Sequence, residues 1–135
     1  MKLHFDPVGA ADAETLLRLA RAFHQEDGHS LTAMGEQAVM QIAAGEPVAR
    51  AWLVRQVGDA IGYVVLTLGY SIEYGGHDGF IDDLYLVPAA RGRGYGRQLM
   101  HFALSQAAAL GVKTLHLEVE TGNESAMRLY RSIGF

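Results

Sequence analysis

Residues 91–97 read RGRGYGR, three glycines and three arginines within seven positions of a chain whose formal net charge is −4. A glycine-rich turn leaves backbone N–H groups free, and a helix starting there adds the positive end of its dipole, so the spacing suits an anion. Gly94 and Gly96 let an anion approach the backbone closely, while Arg91, Arg93 and Arg97 can reach phosphate oxygens from outside. A pyrophosphate fits that description. The Walker pattern is excluded because no Lys-Ser or Lys-Thr follows the glycines, and the dinucleotide pattern G-x-G-x-x-G fails because Arg97 stands at its third glycine. A tight turn solvated by arginines is the alternative that spacing alone leaves open.

Two carboxylates and one phenol carry the other candidate chemistry. Asp82 and Asp83 interrupt the apolar run 80–87, and strict alternation along a strand places Asp82 on the face of Phe80, Leu84 and Leu86, with Asp83 on the other. A carboxylate among apolar neighbours is a better base and also attracts a cation. Both could equally be structural, bonded to loop amides or an arginine. Tyr130 lies on the apolar stripe of a helix, where periodicity alone reads as a core aromatic. The histidines at 4, 24, 29, 77, 101 and 116 show no zinc-ligand spacing and read as solvated or hydrogen-bonded, so no metal is expected.

These residues need elements to position them. A strand is expected over 2–8, then a helix capped by Asp12 with Leu16, Leu17, Leu19, Ala20 and Phe23 on one face, and a second helix over 34–44. Runs 48–57 and 60–68, separated by Gly58-Asp59, predict a hairpin; 70–79 reads as a longer connection to a strand over 80–87 that Pro88 ends. After the glycine loop come a helix ending at Gly111, an alternating strand over 113–120, and a last helix that Thr121 to Glu124 caps. The order implies a mixed sheet with helices on both faces, in one domain spanning 1–135.

Composition narrows the function classes. Half the residues are hydrophobic and 19% charged, as expected of a folded core. The acidic balance offers a polyanion no general attraction, so nucleic acid is not expected as a partner. With no cysteine, disulfides and thiolate nucleophiles are excluded, in keeping with a reducing cytoplasm. The start MKLHFDPV lacks a signal-peptide pattern and no apolar run approaches the ~20 residues that cross a bilayer, so a cytoplasmic location without membrane attachment is expected.

The run from Leu84 to Gly96, LYLVPAARGRGYG, resembles the acyl-CoA loop of the GNAT superfamily of N-acetyltransferases, its R-x-x-G-x-G falling on Arg91, Gly94 and Gly96. Residues 123–135, NESAMRLYRSIGF, are similar to the second signature N-x-x-A-x-x-L-Y-x-x-x-G-F. The resemblance covers nearly the whole chain. It implies an α/β (α+β) fold with a mixed, mostly antiparallel central sheet, and acetyl-CoA as co-substrate. It places the CoA pyrophosphate on Arg91, Gly92, Arg93, Gly94, Tyr95, Gly96 and Arg97, the pantetheine arm along Leu86 and Val87, and Asn123 among the cofactor contacts. Tyr130 then lies near the sulfur as proton donor, and Asp82 is the base, directly or through a water chain. Asp83, Glu26, Glu73 and Tyr74, with Asp27, border the acceptor side, where their charge suits a primary amine of a small molecule or a protein. A catalytically silent CoA-binding sensor or interaction module is the alternative. Family members usually continue beyond the Gly-Phe pair with two further strands; without them strand 113–120 is an open edge, which a partner chain could cover and which leaves a homodimer open.

Overall fold

The structure, a computed structural model, describes residues 2–118 and 124–135. Asn123 and residues 119 and 120 of the expected strand lie outside that set. In chain order the elements are β1 (His4–Pro7), α1 (Ala13–Glu26), α2 (Ala33–Ala44), β2 (Ala49–Gln56), β3 (Asp59–Ser71), β4 (Gly76–Leu86), α3 (Tyr95–Ala109), β5 (Thr114–Leu117) and α4 (Glu124–Ile133). The five strands stand in sequence order in one sheet, antiparallel throughout except that β5 runs parallel to β4. Parallel neighbours need a crossover, and α3 is that crossover.

Alternation along the central strands sends side chains into two separate cores. Trp52, Val54, Val64, Leu66, Ile81 and Leu86 pack with Leu99, Met100 and Ala103 of α3, and Tyr130 and Ile133 of α4 join them. Ala51, Leu53, Tyr63, Val65 and Tyr85 face the other way onto Leu16, Leu19 and Ala20 of α1, with Val39 and Ile42 of α2 beside them. The helices therefore cover both faces.

Local chemistry explains most boundaries. Thr32 caps α2 by accepting from the Gly35 amide at 3.1 Å, and Gly45 closes it in the left-handed region at φ 109°. Asp12 does not cap α1. Its carboxylate accepts from the Gly9 amide at 2.9 Å and from Arg55 at 3.1 Å, bracing a short 3-10 turn against β2. Much of the expected connection 70–79 is sheet instead, since Tyr70 pairs with His77 and Ser71 with Gly76. The polar and glycine-rich composition of that segment hides a hairpin whose ladder is set by the partner strand.

The β2–β3 turn falls one position earlier than expected. Val57 and Gly58 occupy its centre at φ 51° and 85°, the two positive values of a type I′ turn. A β-branched residue is strained there, and Val57 is exposed. Val57→Asn should stabilise the protein by about 1 kcal/mol, raising Tm by a few degrees, on the order of 3–5 °C, in a thermal melt.

Candidate active site

The glycine loop joins β4 to α3. Gly92 and Gly94 adopt positive φ of 79° and 80°, and an added Cβ at either would meet no atom within 4 Å. Left-handed residues alternating with ordinary ones turn successive amides toward one side, and Tyr95, Gly96 and Arg97 begin α3 with N–H groups that have no partner inside the helix. The first turn of α3 carries no acidic residue. This is an open concave cradle of backbone donors, suited to a diphosphate.

The three arginines are not equivalent. Arg91 is committed to the protein, with Nε donating to the Leu86 carbonyl at 3.0 Å, the guanidinium pairing with Glu26 at 2.7 Å, and its carbon 5.7 Å from the Tyr85 ring centre. It ties α1, the end of β4 and the loop together. Arg97 donates to Ser132 Oγ at 2.7 Å and so links α3 to α4, while Arg93 is exposed. Tyr95 is a core residue, 8% exposed, whose hydroxyl accepts from Gln56 at 2.6 Å. Only its amide is oriented by the helix end.

A cleft of about 520 Å³ opens beside this loop, lined by Leu84, Tyr85 and Leu86 of β4, Phe23 and Glu26 of α1, Arg91, Gly92, Gly94, Gly96 and Arg97, and Leu129 of α4. Among the described residues, its floor is a strand edge without a ladder partner. β5 runs beside β4 only from Asp78 to Ile81, and over 82–86 the described residues give β4 a neighbour on its β3 side alone. The Val87 amide donates to Ile61 and its carbonyl accepts from the Ala90 amide, both at 2.9 Å, so Val87 has spent the groups that the sequence reading assigned to a pantetheine arm. Because backbone groups alternate along a strand, Leu84 turns both of its groups and Leu86 its N–H away from β3, the Leu86 carbonyl being taken by Arg91.

The carboxylates are placed by a β-bulge. Pairing passes from Leu66 with Ile81 to Val65 with Asp83, leaving Asp82 as the extra residue. Alternation therefore breaks at this point: Ile81, Leu84 and Leu86 face α3, whereas Asp83 and Tyr85 lie with Tyr63 on the α1 side. Asp82 is exposed rather than set among Leu84 and Leu86. The carboxylate in an apolar environment is Asp83, 13% exposed, whose Oδ2 accepts from the Tyr63 hydroxyl at 2.7 Å and lies 3.0 Å from His24 Nε2. Burial pushes the Asp83 carboxyl above its usual range, opposed by those two donors, and burial with the neighbouring carboxylate pushes the Tyr63 phenol up.

Tyr130 is half-buried against the α3-side core, one residue beyond Leu129 of the cleft wall, and burial raises its phenol above the usual tyrosine range. Glu26 sits in the cleft wall, held by Arg91, rather than free on an acceptor surface. Glu73 and Tyr74 are exposed at the β3–β4 turn, with the Tyr74 ring centre 5.0 Å from that of His116. The sequence reads His24 as solvated or hydrogen-bonded without naming its partner, because Asp83 is 59 positions away and no spacing rule connects them. Among the described residues no three metal-ligating side chains converge.

The family model described as "Acetyltransferase (GNAT) family" matches residues 13–135. A mycothiol acetyltransferase of Thermobispora bispora is 34% identical over 137 residues, covering 97% of this chain and 44% of that protein. The N-alpha-acetyltransferase RimI of Mycobacterium tuberculosis is 40% identical over 84 residues, covering 60% of this chain and 48% of that protein. The chain thus spans less than half the length of these two curated relatives. Among solved structures, an integron cassette protein from the mobile metagenome of Cole Harbour Salt Marsh superposes with a TM-score of 0.81 at 33% identity, covering 97% of this chain and 82% of that one.

Proposed function

The chain belongs to the acetyltransferase (GNAT) family, and from that premise we propose that it moves an acetyl group from acetyl-CoA to a primary amine of a small molecule or protein by direct attack. One observation carries this reading. Among the described residues, Leu84 and the Leu86 N–H have no strand partner on the side away from β3, and they line the same cleft as the amide cradle of the glycine loop, so one extended ligand can pair with a strand and end in a diphosphate. We further assign residues 1–135 as one catalytic domain acting in the cytoplasm, for which the cysteine-free composition is the support.

In this mechanism the amides of Gly94, Tyr95, Gly96 and Arg97 hold the pyrophosphate, with Arg93 as an outer contact and Arg91 as the brace that shapes the loop. The Leu86 N–H, turned to the cleft, polarises the thioester carbonyl and stabilises the charge that develops on its oxygen. Asp82 at the bulge draws a cationic amine toward the cleft and receives, directly or through water, the proton that the nitrogen still carries after attack. Tyr130 protonates the departing sulfur; its burial keeps the phenol protonated at neutral pH.

Acetyl-CoA at about 100 times its dissociation constant should add ~2.7 kcal/mol of stability, read as a rise in Tm. No shift would remove the reading. CoA release, followed with a thiol reagent across polyamines, aminoglycosides, amino acids and lysine peptides, then identifies the acceptor class. A shift without release above background with any amine would mark a silent CoA-binding module instead.

A further inference from the structure

On the α1 side of the bulge, the last turn of α1 brings His24 over Asp83, and β3 brings Tyr63 to the same carboxylate oxygen. We propose that His24 takes the proton from the acceptor amine, with Asp83 and Tyr63 as the positioning residues that hold it in the form able to do so. This rests on the acetyl-transfer reading.

An ionised carboxylate can only accept, so the His24 nitrogen facing Asp83 Oδ2 at 3.0 Å, Nε2, carries the hydrogen. The neutral ring then has its lone pair on Nδ1, and tautomer and orientation are set by the one contact, as a carboxylate sets them for a general-base imidazole. Tyr63, donating to the same oxygen at 2.7 Å, holds Asp83 in place and helps keep it ionised against its burial. The charged and titratable groups tied to this cluster are Glu26 on α1, Tyr63 on β3, Asp82, Asp83 and Tyr85 on β4, and Arg91 of the loop. Glu26 and Arg91 neutralise one another, so the imidazolium formed in the reaction meets the carboxylate of Asp83.

The location fits the task. Phe23, the preceding residue, lines the donor cleft, and the His24 side chain is 31% exposed, so the ring is reachable by an acceptor entering from the α1 side. A proton passes from the ammonium nitrogen to Nδ1, and the freed lone pair forms the C–N bond. As the C–S bond breaks, the sulfur takes the proton of Tyr130, and the remaining excess proton on nitrogen leaves to solvent, from which Tyr130 is restored. Nothing is oxidised or reduced.

His24→Gln separates chemistry from architecture, since the glutamine amide can still donate to Asp83 but cannot accept a proton near neutral pH. With the acceptor identified by the CoA-release panel, kcat/KM should fall roughly 10²–10⁴-fold, while Tm and the acetyl-CoA thermal shift should be retained. Retention of wild-type kcat/KM would overturn the proposal while leaving acetyl transfer intact. Absence of CoA release by the wild-type protein would overturn both. If that variant fails to fold, Asp83→Asn decides: a fall in kcat/KM of about tenfold or more with the acetyl-CoA thermal shift retained supports the proposal, and wild-type kcat/KM sinks it.

Discussion

Tyr130→Phe should lower kcat about 10²-fold while leaving KM for acetyl-CoA within about threefold and Tm nearly unchanged. The ring of Tyr130 packs against the α3-side core and lies edge-on to Phe135 at 6.4 Å, and phenylalanine keeps both contacts. What disappears is one proton. The leaving thiol has an intrinsic pKa near ~8.5, so a thiolate can depart unaided, and the loss should fall at the lower end of what a general acid contributes. Burial holds the phenol above the ordinary value of ~10, so the deprotonation of Tyr130 should limit activity only on the far alkaline side. Steady-state kinetics with the acceptor from the panel checks this, and an unchanged kcat would remove Tyr130 from the proton path.

Gly62→Ala should be the most damaging single methyl in the sheet. A Cβ at this position would stand 2.2 Å from the Tyr85 carbonyl oxygen and 2.9 Å from Leu86 Cδ2, and the first of these is backbone that cannot swing aside. β3 and β4 must separate there, at a cost of about 3 kcal/mol and a drop in Tm on the order of 10 °C. The same displacement moves Leu86, whose backbone forms the cleft edge, so acetyl-CoA should give a smaller thermal shift in whatever fraction stays folded. Gly9→Ala is the matching control. Its Cβ would meet only Asp12 Oδ2, at 3.9 Å, and Gly9 sits in extended backbone at φ −118°, so Tm should move by less than a degree or two, on the order of the usual surface effect.

The sequence by itself determined the order of elements, the two-sided sheet and the loop. Each depends on signals within a few residues: helical periods in α1 and α3, the glycine register 92-94-96, and Pro88 ending a strand. A turn register was missed by one position at Val57 because the strained residue there is chosen by the ladder it closes, not by its own preference. The roles inside the cleft lay further out of reach. Tertiary structure alone decided that Arg91 braces Glu26 and the Leu86 carbonyl, that Val87 has spent its backbone groups, and that Tyr95 belongs to the core. It also decided which aspartate is buried. Alternation assigns a face only while the ladder is regular, and the bulge between Val65 and Leu66 ends that regularity at Asp82, giving the enclosed position to Asp83. His24 then meets Asp83 because α1 packs across β4, a contact between residues 59 positions apart that no local spacing encodes.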